Sequence, residues 1–270
     1  MDTLRVKQFS VSKTLDSGQV FRYFYQDPYW YVQHKNEFFR IRQDKSQLFF
    51  EGSDKSFINS FFQTGFDIKK IDKKIAKDDC IASAIEQGKG LRILQQDPWE
   101  CMVSFLCSMA SNIPKIKMNV NKLSEQFGVR STKFGKEFFS FPTMRSLNDY
   151  QKIWNAKTGF RAKYLYAINR SVNEDYFEQL KKMSYEDAKF ELRELPGIGP
   201  KVADCILLFS LGFHEAFPID TWIRRVMVKN YFNGKKTNDQ KILDFARDYF
   251  GEYAGYAQQY LYEFARRGSR

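Results

Sequence analysis

At 270 residues the chain can bury a sizeable core and hold two or three subdomains. Its 43 Lys and Arg against 32 Asp and Glu leave a net charge of +11, a footprint shared by nucleic-acid binders and merely basic surfaces. Hydrophobic residues at 43% and aromatics at 17% exclude a disordered arm.

Residues 20–24, 29–34, 37–42 and 47–51 are short aromatic-rich runs with partial alternation, the pattern of strands. Lys35-Asn36 is short enough for a two-residue hairpin, with Asn36 tolerating the left-handed region, and Asp44-Lys45-Ser46 makes the next turn. These runs predict an antiparallel meander, closed by a helix over about 55–63 that Gly65 stops. From about residue 70 the periodicity turns helical. Asp97-Pro98 supplies an N-cap and a first-turn proline for an apolar helix over 99–109. Pro114 opens another helix that Gly128 ends, and Gly159-Phe160-Arg161-Ala162-Lys163-Tyr164 starts a third. Ser184-Tyr185-Glu186-Asp187 resembles a capping box leading into 188–194. The tail 254–267 is amphipathic and basic. No low-complexity linker intervenes, so an α+β fold is expected as one rigid body. A small antiparallel β-sheet subdomain with covering helices (1–85) packs on a mainly helical body (86–270).

The densest signal is Leu195-Pro196-Gly197-Ile198-Gly199-Pro200-Lys201. Gly197 and Gly199, one residue apart, allow a tight backbone hairpin, and an apolar helix over 202–211 follows, closed by Gly212. Such a hairpin aims several N–H groups one way with a helix dipole behind them, which suits one backbone phosphate of a nucleic acid. With the preceding helix it forms a helix-hairpin-helix over about 185–212. Lys201, in the first helical turn beside that phosphate site, is a candidate nucleophile. Phe217-Pro218-Ile219-Asp220 places a carboxylate 19 residues later (220 − 201). The bland alternatives are a solvated helix-start lysine and an aspartate that merely caps the next helix.

Cys80, Cys101, Cys107 and Cys205 lack metal-ligand spacing, which excludes a Cys-ligated zinc ribbon and a four-cysteine iron–sulfur cluster and suits a reduced compartment. His34 and His214 are the only histidines, which argues against a His-based zinc deaminase or a Ser-His-Asp hydrolase. No apolar segment approaches membrane-spanning length, and the N-terminus lacks a signal-peptide pattern.

The hairpin, Lys201 and Pro218-Ile219-Asp220 together resemble the lysine-bearing, bifunctional branch of the helix-hairpin-helix glycosylases. The sheet before the helical body narrows the resemblance to the eukaryotic-type 8-oxoguanine DNA glycosylases. Four further segments match in order: 15–22, 96–108, 159–164 and 253–262. The resemblance implies that Lys201 attacks the sugar and Asp220 stabilises its cationic form. It implies a base pocket of Gly18, Cys205, Gln258 and Tyr262, with the Gly18 carbonyl meeting the N7 hydrogen of the oxidised base. Without it, Gly18 reads as a turn residue, Gln258 as solvated, Tyr262 as core and Cys205 as an ordinary buried thiol.

For DNA the resemblance implies contacts from Lys115, Phe160, Arg161, Gly197, Gly199 and Trp222. Phe160 is the wedge, and Arg161 reaches toward the opposite strand. It further implies no required cofactor and no iron–sulfur cluster, with a structural monovalent cation on the carbonyls of Arg193, Leu195 and Ile198. The partner is duplex DNA containing 8-oxoguanine, with no membrane, and the chain is a monomer. From a prokaryotic source it would be cytoplasmic and nucleoid-associated. Three positions depart from the family pattern: Ala110 replaces an asparagine, Lys115 an arginine and Trp222 a histidine. The expected function is therefore a glycosylase and lyase for 8-oxoguanine with relaxed opposite-base preference. A glycosylase for oxidised pyrimidines and a non-catalytic helix-hairpin-helix module stay open as alternatives.

Overall fold

The aromatic runs near the N-terminus do pair, in a computed structural model that describes residues 1–267. Strands β1 (Asp2–Arg5), β2 (Tyr23–Gln26), β3 (Tyr29–His34), β4 (Glu37–Asp44) and β5 (Gln47–Glu51) form one sheet in the order β1-β5-β4-β3-β2. Every neighbour is antiparallel, with Val32 opposite Phe39 and Ile41 opposite Phe50. Those four residues and Leu48 form one buried face, as a period of two requires. Helices α1 (Val11–Leu15) and α2 (Lys55–Phe61) bury Leu15, Ile58 and Phe61 in the same cluster.

Several details differ from expectation. The left-handed residue of the β3–β4 turn is Lys35 (φ +56), not Asn36. Residues 20–22 are not strand: Val20, Phe21 and Arg22 turn inward and are buried. Edge strand β1 went unpredicted. So did the hairpin of β6 (Arg130–Lys133) and β7 (Lys136–Phe139), whose Phe134 and Phe138 cover Tyr31 and Phe38 on the sheet's other face.

The remaining helices are α3 (Ile68–Ile75), α4 (Asp79–Gly88), α5 (Pro98–Cys107), α6 (Ile113–Phe127), α7 (Tyr150–Ile153), α8 (Ala162–Ser171) and α9 (Glu174–Leu180). They continue with α10 (Tyr185–Arg193), α11 (Pro200–Ile206), α12 (Thr221–Tyr231), α13 (Asp239–Phe250) and α14 (Ala254–Arg267). The expected caps are present, with the Asp97 and Ser184 side chains accepting the N–H groups of Glu100 and Asp187. Helix α5 is buried on all sides from Trp99 to Cys107, so the body is wrapped around it. Ile68, Ile71, Ile75 and Ile81 of α3 and α4 join this helical core, so residue 85 falls inside the helical packing rather than at its edge.

A buried ion pair ties sheet to body. The Arg22 guanidinium, 1% exposed, donates to Glu100 of α5 at 3.3 Å. His34 Nε2 accepts the Asp97 N–H at 2.8 Å, and burial holds this imidazole below its usual pKa, hence neutral. Removing either partner of the ion pair would strand a buried charge.

Candidate active site

The hairpin between α10 and α11 is built as its glycines require. The Ile198 N–H donates to the Leu195 carbonyl at 3.1 Å. Gly197 sits at φ +83, and a Cβ there would lie 2.5 Å from the Tyr164 ring, so only glycine fits. Gly199 caps α11 without a side chain and Pro200 opens its first turn. No side chain therefore competes with an anion for the N–H groups at this end. A buried clamp holds the two helices together: Lys189 Nζ donates to Asp204 Oδ2 at 2.9 Å, and the Tyr185 hydroxyl donates to Asp204 Oδ1 at 2.7 Å. Beyond Ile206 the helix widens into a π-turn, Leu207–Leu211, which the left-handed Gly212 closes.

Lys201 and Asp220 meet at one opening. Both line a small inner cavity of about 60 Å³, and both line the wider outer cleft, about 470 Å³, into which it opens. Asp220 is also the cap of α12, its Oδ1 accepting the Ile223 N–H at 2.8 Å, and capping leaves it in the lining of the cavity. Burial raises its carboxyl above the usual aspartate value, opposed by the Ile223 N–H and by the Lys201 charge. Lys201 Nζ donates to Ser108 Oγ at 3.1 Å.

The other four expected pocket residues line the same inner cavity: Gly18, Cys205, Gln258 and Tyr262. Cys205 lies one turn after Lys201, and burial pushes its thiol up to about 12, so it stays protonated at neutral pH. Burial also pushes the Tyr262 phenol up to about 12. Gly18 is left-handed (φ +80), and a Cβ there would stand 3.3 Å from the Tyr262 hydroxyl. The carbonyls on either side of Gly18 are pinned, that of Ser17 by Gln259 Nε2 at 2.8 Å and that of Gln19 by Gln96 Nε2 at 2.9 Å. The Gly18 carbonyl between them has no hydrogen-bond partner among the described residues. Gln258 Nε2 donates to the Pro218 carbonyl at 3.0 Å, which fixes the amide, while its Oε1 is buried and unpartnered. Sequence reasoning missed Phe105 and Phe209, whose rings stack 5.5 Å apart in the cavity wall.

Residues 3–102 match the family model for the N-terminal domain of 8-oxoguanine DNA glycosylase. The chain is 33% identical over 233 residues to a probable N-glycosylase/DNA lyase of Methanothermobacter thermautotrophicus, covering 78% of this chain and 74% of the relative. It belongs to the 8-oxoguanine DNA glycosylase family. The fold agrees along the whole chain. It superposes on MBOgg1, solved in complex with a low affinity DNA ligand, with TM-score 0.94 and 30% identity over 99% of this chain and 96% of that one. It superposes equally on the Clostridium acetobutylicum 8-oxoguanine glycosylase/lyase, solved with double-stranded DNA containing cytosine opposite to 8-oxoG. There the TM-score is 0.92, with 29% identity over 100% of both chains.

Within this family frame the expected DNA-facing residues are not all outward. Phe160 is 50% exposed at a 3-10 turn (Gly159–Arg161), as a wedge requires. Arg161 differs from Phe160 in this. It is 6% exposed and turned inward, donating to the carbonyls of Met109 at 2.9 Å, Ala110 at 3.0 Å and Thr158 at 3.1 Å. A guanidinium that finds three carbonyls in its own chain is better satisfied there than at the surface. Trp222 is half-exposed in the cleft wall with the Arg225 guanidinium 5.5 Å from its ring. Lys115 is half-buried, and the Asn112 side chain caps α6 by accepting its N–H at 3.0 Å. Of the expected cation-holding carbonyls, that of Leu195 already accepts the Ile198 N–H, which leaves it one lone pair.

Proposed function

We propose that this protein excises 8-oxoguanine from duplex DNA and then cuts the strand at the abasic site. The observation that carries the reading is the unpartnered Gln258 Oε1 in a cavity whose opening holds an amine and a carboxylate. The lesion presents N1–H and N2–H donors to an acceptor such as Gln258 Oε1. It also differs from guanine at N7, an acceptor in the normal base and a donor in the lesion. An unpartnered Gly18 carbonyl, held between the pinned carbonyls of Ser17 and Gln19, suits that hydrogen, whereas facing the guanine lone pair would cost about 1–3 kcal/mol.

With the nucleotide flipped into the cavity, the Lys201 nitrogen bonds to C1′ while the bond from C1′ to the base breaks. The base leaves with that electron pair and takes up a proton. The Asp220 carboxylate faces the sugar as it becomes cationic. Ring opening gives an imine between Lys201 and C1′. Loss of a C2′ proton then expels the 3′ oxygen with its electron pair, and water releases the lysine. The carbonyls of Arg193, Leu195 and Ile198 would hold a monovalent cation against the DNA phosphate. Ala110 and Lys115 support a relaxed preference for the base opposite the lesion, since lysine lacks the bidentate fork of arginine.

Borohydride added to the protein with an 8-oxoguanine duplex should trap a covalent complex, and Lys201→Gln should abolish both trapping and base release. Activity on thymine glycol with none on 8-oxoguanine would favour the pyrimidine reading. Binding without trapping would favour a non-catalytic module.

A further inference from the structure

The Lys201 amine is bracketed on two sides. Its Nζ donates to Ser108 Oγ at 3.1 Å and lies 5.2 Å from the centre of the Phe105 ring. The Ser108 hydroxyl in turn donates to the Phe105 carbonyl at 2.6 Å. A hydroxyl has one proton, and with that proton on the carbonyl Ser108 faces Lys201 as an acceptor only. Ser108 is also the cap that ends α5. The two carbonyls that follow it, of Met109 and Ala110, are the ones gripped by Arg161. An unbroken chain of bonds thus runs from the turn beside Phe160, through residues 108–110, to the amine.

We propose that Ser108 is a positioning residue that aims the Lys201 amine at the sugar, and that Arg161 keeps Ser108 in place by anchoring the two carbonyls after it. The inference rests on Lys201 being the nucleophile. Lysine carries its nitrogen on a flexible four-carbon stem with rotatable donors, so nothing intrinsic to it sets the direction of attack. A neutral amine has two N–H bonds and one lone pair. Holding one N–H on Ser108 removes one of the three directions the lone pair could take and stops free rotation about the terminal bond. Misplacing a reacting atom by about 1 Å can cost about 10²-fold in rate. The loss of one hydrogen bond, with the ring bracket intact, should cost less.

The test uses the full-length protein and two duplexes, one with a preformed abasic site and one with a non-reactive abasic analogue. Ser108→Ala should slow borohydride trapping on the first by about tenfold. Its affinity for the second should stay within about twofold of wild type, since Ser108 serves attack rather than binding. Ser108→Thr keeps the hydroxyl and should restore trapping to within about threefold. Arg161→Met should produce the same slowing, and combining it with Ser108→Ala should add little, because both break one chain of contacts. Ser108→Ala trapping at the wild-type rate overturns the inference, as does a loss that Ser108→Thr leaves unrepaired. A wild-type protein that fails to trap overturns the Lys201 reading and this inference with it. A trapping wild type beside an indifferent Ser108→Ala overturns this inference alone.

Discussion

The Asp220 carboxylate accepts the Ile223 N–H at 2.8 Å, so the carboxylate that lines the opening with Lys201 also starts α12. Asparagine caps a helix about as well as aspartate, which lets the charge be removed without the cap. Asp220→Asn should therefore lower base excision severely while leaving binding to an 8-oxoguanine duplex largely intact. Burial raises this carboxyl above 3.8 in the folded protein, so its stabilising contribution is full below the unfolded value and is lost as pH rises through the folded one. At neutral pH Asp220→Asn should accordingly melt no lower than wild type. In the wild type, single-turnover excision should fall on acidification at a pH above 3.8, and the variant's residual activity should lack that limb. Excision within a few-fold of wild type would remove Asp220 from the mechanism.

Gln258 supplies the second test. Its Oε1 is buried without a partner while Nε2 is committed to the Pro218 carbonyl. Gln258→Leu keeps the volume and removes the acceptor. Affinity for an 8-oxoguanine duplex should fall by about 1–3 kcal/mol, the cost of leaving buried donors of the base unpaired. Affinity for an abasic-analogue duplex, which brings no base to the cavity, should not change. Equal losses on both duplexes would mean that Gln258 supports the wall rather than reads the base.

Six of the residues lining the cavity were legible in the sequence, Asp220 through the Pro218-Ile219-Asp220 run after the hairpin and the other five on two grounds. Lys201 and Cys205 are one helical turn apart, and the hairpin before them leaves little freedom in where that helix starts. Gly18, Gln258 and Tyr262 came from resemblance, since a glycine, a glutamine and a tyrosine carry no chemistry by spacing alone. Phe209 was not legible because it sits on the π-turn, where a helical period of 3.6 no longer assigns faces. The inward turn of Arg161 is not legible in the sequence because two of its three carbonyl partners lie 51 and 52 residues away, which no local pattern reveals. The fold divides the same way. Strands β3 to β5 show as alternation, but β1 is a short, largely exposed polar edge. The β6–β7 hairpin carried a turn signal in Phe134-Gly135, both at positive φ, yet its strands are mostly polar.

Thiol chemistry gives a third prediction. Cys101, Cys107 and Cys205 are buried, and burial pushes Cys107 and Cys205 up to about 12 and raises Cys101 as well. Cys80 is half-buried and also raised. An alkylating reagent at neutral pH should therefore modify the native protein slowly, at Cys80 alone, and all four thiols only after unfolding. Borohydride trapping should survive that treatment, because the nucleophile at the cavity is an amine. Because the folded thiols are raised above 9.0, the stability they contribute is full below that pH and is lost progressively above it. Rapid loss of trapping with modification at Cys205 would contradict the neutral-thiol picture.

The last prediction concerns the base opposite the lesion. Discrimination there needs paired donors and acceptors that punish the wrong partner. In this structure the Arg161 guanidinium is taken up by the carbonyls of Met109, Ala110 and Thr158, and the Asn112 side chain caps α6. Ala110 offers no polar side chain, and Lys115 offers a point charge in place of a fork. Excision of 8-oxoguanine opposite cytosine, adenine, guanine and thymine should therefore proceed at rates within about tenfold of one another, less than one good bidentate contact would produce at its upper range. Ala110 already sits at φ +44, a region that asparagine adopts more readily than alanine, so Ala110→Asn fits the backbone without strain. Combined with Lys115→Arg it should widen the gap in favour of cytosine, by about 1–3 kcal/mol for each contact restored. Single-turnover rates on the four duplexes measure this directly. A preference for cytosine of about a hundredfold or more, some 2.7 kcal/mol, in the unmodified protein would mean that DNA binding releases Arg161 or Asn112 from its present partners to do the reading.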